Sequence, residues 1–122
     1  MEGQKTYPAE ELKKRTKQFA IRIVRLYQAL PKKDEGPVIG RQVLRSGTSV
    51  AANYRAVCRA RSKAEFVAKI GVVVEEIDET VFWLELLVET GIVARSKMES
   101  LQSEATELLA IFAASQHTAR SR

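Results

Sequence analysis

From Leu12 to Leu30 the inward-type positions recur at Leu12, Thr16, Phe19, Ile23, Leu26 and Leu30, in steps of 4, 3, 4, 3 and 4 residues. That is the period of one face of an α-helix, and it is incompatible with the two-residue alternation of a half-buried strand. The rhythm returns at Val43, Gly47, Val50, Tyr54 and Val57, and again through Phe66, Ile70, Val73, Ile77, Val81, Leu84 and Val88. No stretch alternates with period two, so the chain is committed to helices packed on helices.

The breaks between the stripes divide the chain. Pro31 to Pro37 holds two prolines, a glycine and four charges, a composition that belongs in a solvent-exposed connection. Ser62 with Glu65, and Ser96 with Glu99, have the spacing of capping boxes, in which the hydroxyl takes an orphan N–H and the carboxylate reaches back. Gly91 is a natural helix stop. These signals predict helices over about 9–30, 38–59, 63–90 and 97–117, with a frayed tail at 118–122. With 122 residues there is room for one domain. The expected fold is all-α, an antiparallel up-down-up-down four-helix bundle spanning 1–122.

Two features of the packing are visible at this level. The middle of the second helix, Ser46 to Ser49, contains poor helix formers that cost about 0.5–1 kcal/mol each relative to alanine. Gly47, Ala51 and Ala52 are small enough to let a neighbouring helix come close and return that energy as contact. The third helix carries Val67, Val72, Val74, Phe82, Trp83 and Leu87 outside its main stripe. So wide an apolar arc fits either a helix with several neighbours or a subunit interface.

Residue types exclude much chemistry. One cysteine, Cys58, and one histidine, His117, rule out an intrachain disulfide, a Cys/His zinc site and a two-histidine metal centre. The carboxylates Glu75, Glu76, Asp78 and Glu79 lack the Glu-x-x-His pairs of a carboxylate-bridged iron bundle, and no positioned nucleophile accompanies them. No cofactor pattern is present. The polar start of the chain and the lack of a long apolar run point to a cytoplasmic protein.

The net charge of +5 is unevenly spread. Residues 1–61 hold 14 Lys and Arg against 5 acids, leaving +9, whereas 62–122 hold 6 against 10, leaving −4. Two halves of opposite sign can pair with each other or with a neighbouring copy. The candidate free cations are Lys14, Arg15, Lys17, Arg22 and Arg25 on the first helix, which form either a solvated face or a phosphate-contacting surface for RNA or DNA. On the second helix Gln42, Arg45, Ser49 and Asn53 step by 3, 4 and 4. Such a stripe on a packed helix is expected to enter a structural polar network, with Arg45 and Asn53 meeting Glu75, Glu76 or Glu79.

The Gln42, Arg45, Ser49, Asn53 spacing, followed by Arg61, Ser62, Lys63, Glu65, Phe66 and a long helix with Gly71 and Glu75, resembles the small bacterial four-helix proteins encoded in intervening sequences of 23S ribosomal RNA genes. These are sometimes labelled ribosomal protein S23, and the resemblance covers residues 12–112. Many relatives continue Ile-Ala-Glu-Gly after the asparagine; Tyr54, Arg55, Ala56 and Val57 stand there in this chain. The resemblance implies a ring-shaped homopentamer, and a likeness to the basic accessory protein of diversity-generating retroelements, which is associated with nucleic acid and a reverse transcriptase. It brings no catalytic residues. The expectation is a non-enzymatic oligomer presenting basic residues to RNA or DNA; the alternative is a homo-oligomeric protein-interaction scaffold with no nucleic-acid role.

Overall fold

The computed structural model describes residues 7–122, and among them the regular structure is four helices: α1 (Ala9–Ala29), α2 (Gly36–Val57), α3 (Lys63–Glu89) and α4 (Arg95–Ser121). The chain leaves α1 at Leu30, whose extended backbone (ψ 151°) is what a following proline enforces. Helix α2 begins at Gly36, two residues before the predicted start, because Pro37 occupies its first turn, where a missing N–H costs nothing. A side chain at Gly36 would collide with the Pro31 carbonyl oxygen.

Helix α3 starts as its capping box predicts, with one change of partner. The Ser62 hydroxyl accepts from the Glu65 N–H at 3.1 Å, but the Glu65 carboxylate takes the N–H of Arg61, at 2.9 Å, one residue before the cap. Its C-terminus turns through Gly91 in the left-handed region (φ 78°), whose N–H donates to the Val88 carbonyl.

Helix α4 departs from expectation at both ends. It begins at Arg95 behind an extended Ala94, with no side-chain cap, so Ser96 lies inside the first turn and the second capping box does not form. Ile92 and Val93 pack against the core and carry the chain into helical register earlier than Ser96. At the other end the helix runs on to Ser121 instead of fraying after 117. Residues 114–116, 118 and 119 remain half-buried, and Gln116 packs against Gly71 of α3, so the last turns keep tertiary support.

Each helix packs along the next in sequence, and α4 closes back on α1 through a thinner seam. Ile23 meets Gly47 while Tyr27 and Leu30 meet Gly40, so α1 and α2 run antiparallel. Arg15 reaches Glu104 and Arg22 reaches Ser100, so α1 and α4 do as well. The core is one continuous cluster, with Phe19, Ile23, Val43, Val50, Ile70, Val73, Ile77, Leu84, Leu87, Met98, Leu108 and Phe112 almost wholly removed from solvent.

Gly47 explains the poor formers in the middle of α2. A Cβ there would stand 2.7 and 2.9 Å from the two γ carbons of Ile23, so only glycine admits α1 this closely. Ser46 and Thr80 are fully buried, and their hydroxyls share a hydrogen bond of 2.9 Å that joins α2 to α3. Thr16, the polar member of the α1 stripe, is satisfied by the Leu12 carbonyl at 2.8 Å.

Candidate functional site

The five α1 cations do not form a uniform surface. Lys14, Lys17 and Arg25 are exposed. Arg15 is turned onto α4, where its Nε donates to Glu104 Oε2 at 3.2 Å and its Nη2 to Glu104 Oε1 at 2.8 Å, with Glu107 at 3.3 Å. Its side chain is only 22% exposed. The hydrogen bond to Glu104 holds the guanidinium pKa above its ordinary value against the opposing effect of burial, with the charges of Glu104 and Glu107 adding to the rise. Arg15 also stacks over the Tyr7 ring, 5.6 Å from its centroid. Arg22 donates to the Ser100 hydroxyl at 2.9 Å. Arg15 and Arg22 are therefore engaged with α4, and the expectation of five free cations falls to three.

The exposed lysines open instead toward α2. Lys13, Lys14 and Lys17 of α1 and Arg55 of α2 wall a groove of about 450 Å³ whose floor is Thr48, Ala51 and Ala52. The groove is open above its floor because the α2 side chains there are small. No carboxylate lines it, although Lys13 pairs at 3.3 Å with Glu10 one helical turn away. Neither Lys13 nor Arg55 is among the phosphate contacts expected from the sequence, where Arg55 reads as one possible counter-charge to the acids of α3. The available signal was the spacing of Thr48, Ala51, Ala52 and Arg55, which places Arg55 on the same edge of α2 as the small residues.

The polar stripe of α2 divides in two. Arg45 Nη1 lies 3.4 Å from Glu76 Oε2, its Nη2 donates to Glu79, and Gln42 Oε1 accepts from Arg45 Nε and Nη2 at 3.4 and 3.3 Å. Glu79 Oε2 also accepts from the Trp83 indole N–H at 2.9 Å, a member that sequence reasoning missed. Asn53 stays out: its amide donates to the Ser49 carbonyl, at 2.9 Å, within α2. It lies two turns beyond Arg45 on an antiparallel helix, out of reach of Glu76 and Glu79. Ser49 is half-buried beside it, and Glu75 faces outward into solvent. The network is half-exposed at Arg45, so its worth lies more in fixing helix register than in stability.

Cys58, at the C-cap of α2, is exposed. Among the described residues no group of three His, Cys, Asp or Glu side chains is placed to hold a metal, and no helix is long and apolar enough to cross a membrane.

With this geometry in place, the chain matches the family model described as 23S rRNA-intervening sequence protein over residues 10–114. It is also similar to a solved crystal structure of a protein of unknown function from the S23 ribosomal protein family of Bacteroides thetaiotaomicron. The two are 36% identical, with a TM-score of 0.82 over 89% of this chain and 97% of that one. No curated protein matches.

Proposed function

The chain belongs to the family of 23S rRNA-intervening sequence proteins, and from that premise we propose that it is a non-enzymatic, self-associating bundle that binds the phosphate backbone of RNA through the groove between α1 and α2. The observation that carries this reading is the set of four cations, Lys13, Lys14, Lys17 and Arg55, around a floor of small residues with no acid in the lining. A phosphate chain needs dense positive charge and room for close approach, and neither demands a base-reading element. Arg25 adds charge on the adjoining outer face of α1; Arg15 and Arg22 serve the fold. The assembly is a ring, taken as five copies in the cytoplasm, and repetition of the groove around it multiplies a modest affinity per subunit.

The test is titration of a fluorescent single-stranded RNA at several salt concentrations. Binding should weaken with salt at a slope of about −0.7 per phosphate contact, and replacing Lys14, Lys17 and Arg55 together by Ala should flatten that slope. Absent or salt-insensitive binding overturns the reading. Competition by DNA of equal length reports whether the sugar matters. A second reading, a protein-interaction scaffold, is favoured by the half-exposed Phe82 on α3; it predicts a ring that persists, and a protein that co-purifies, without RNA.

A further inference from the structure

Helices α1 and α3 sit on the diagonal of the bundle, with no close approach of their backbones, so their outer faces look in opposite directions. The two faces are chemical complements. Between Lys13 and Gln28 the exposed charges of α1 are Lys14, Lys17 and Arg25, with no acid; between Ile70 and Glu89 those of α3 are Glu75, Asp78, Glu85 and Glu89, with no base. Each face also carries apolar residues that the bundle leaves uncovered. On α1 the outward positions Lys14, Lys17, Ile21, Val24 and Gln28 step by 3, 4, 3 and 4, with Arg25 alongside. On α3 the positions Val72, Glu75, Glu79, Phe82 and Leu86 step the same way, with Glu79 turned to Arg45 of α2 and with Asp78, Glu85 and Glu89 exposed at the flanks. Among the described residues the exposed large hydrophobics are Ile21 (36%), Val38 (56%), Val72 (41%) and Phe82 (50%). Three of the four therefore lie on these two faces.

We infer that copies of this chain assemble head to tail, the outer face of α1 in one subunit seated on the outer face of α3 in the next. This rests on the self-association in the proposed function and specifies its surfaces. Like faces repel: α1 against α1 opposes base to base, and α3 against α3 opposes acid to acid, so the two-fold contacts that ordinary homodimers use are disfavoured. The unlike contact is favoured in charge and in apolar cover together.

The levels of the bundle agree. Ile23 meets Gly47, and the adjacent Ser46 meets Thr80, so Ile23 and Thr80 stand at about the same height on helices that run in the same direction. Ile21 and Arg25 are then level with the stretch from Asp78 to Phe82. A neighbouring copy set alongside without sliding brings the apolar pair Ile21 and Val24, and the cation Arg25, against Phe82 and its carboxylates. Because each subunit has one face of each kind, the contact propagates from copy to copy, and a rotation between neighbours closes it into a ring. Lys13 and Arg55 lie on the α2 side of α1, away from the seam, whereas Lys14 and Lys17 stand at the edge that the seam shares with the groove.

Two single substitutions test this by mass measurement in solution. Ile21→Asp disables the α1 face and Phe82→Asp the α3 face; both positions are exposed, and circular dichroism checks that each variant stays folded. Each variant alone should be monomeric at a concentration where the unmodified chain is assembled. Their equimolar mixture should give a one-to-one pair and nothing larger, since only one intact α1 face and one intact α3 face then remain per pair. A variant that still assembles alone, or a mixture of folded variants that stays monomeric, overturns the head-to-tail contact while self-association stands. An unmodified chain that is monomeric at every concentration overturns the self-association reading itself, and this inference with it.

Discussion

Arg15 of α1 and Glu104 of α4 meet as a two-bond fork, Nε to Oε2 at 3.2 Å and Nη2 to Oε1 at 2.8 Å. The fork crosses the thinnest seam of the bundle, where α1 and α4 share far less contact than the other neighbouring pairs. With both side chains 22% exposed, the pair keeps enough shielding from solvent to count energetically. Arg15→Ala should therefore lower unfolding stability by about 1–2 kcal/mol, read by urea denaturation. It should leave the salt slope of RNA binding unchanged, in contrast to Lys14→Ala. An effect on RNA binding with no effect on stability would reverse the assignment of Arg15 to the fold.

Gly47→Ala separates helix propensity from packing. Propensity alone would give a gain of about 1 kcal/mol, but the new Cβ would lie 2.7 Å from an Ile23 carbon, and overpacking costs about 1–3 kcal/mol. Because both Ile23 γ carbons stand in the way, the net change should be a loss. Combining it with Ile23→Ala should cost clearly less than the sum of the two single changes, measured by the midpoint and slope of denaturation. Additivity would show that the helices separate instead of clashing.

The buried pair Ser46 and Thr80 gives a third expectation. Thr80→Val keeps the shape but removes the hydroxyl that Ser46 meets at 2.9 Å, leaving Ser46 only the Val43 carbonyl at 3.5 Å, and a buried hydroxyl so weakly paired costs about 1–3 kcal/mol. Thr80→Ser should recover most of that loss, and Ser46→Ala together with Thr80→Val should be milder than the two losses added. A Thr80→Val chain as stable as the original would show the hydrogen bond to be energetically idle.

Alkaline stability should depend on Tyr54. Burial pushes its phenol above the ordinary value of about 10, with Cys58 adding to the rise, and its ring lies 5.2 Å from Phe112 in the core. Below pH 10 the phenol is protonated in both folded and unfolded chains and has no pH effect. Above about pH 10 the unfolded chain releases the proton first, so stability falls as pH rises, by at most about 1.4 kcal/mol per pH unit from this group. Tyr54→Phe should flatten that part of the profile, and identical slopes above pH 10 would remove Tyr54 from the account.

Much of this structure is legible in the sequence because its determinants are local. The α1 stripe names its buried residues in advance, and Ser62 with Glu65 marks the start of α3 because a cap is a contact between near neighbours. What escapes depends on which helix stands next to which. Arg15 is adjacent to Thr16 of the stripe, so it points partly inward, but only the placement of α4 gives it Glu104. Asn53 shares a stripe with Arg45, yet the antiparallel run of α3 carries the acids out of its reach. Ser96 has the right neighbours for a cap, and the packing of Ile92 and Val93 overrides it. The basic groove was half visible: Lys14 and Lys17 are plain, whereas Arg55 acquires meaning only when α2 is laid beside α1.

Trp83 is the chain's single tryptophan, and its surroundings make it more than a member of the Arg45 network. Its indole N–H is held by Glu79 while its ring meets Phe82 nearly edge-on, centroids 5.0 Å apart and planes at 68°. Phe82 is the residue on which the next subunit is inferred to sit, so burial there changes the polarity around the indole directly. The molecule thus carries its own optical gauge. Tryptophan emission followed on dilution reports whether subunits are joined, with no label attached and no second tryptophan to subtract.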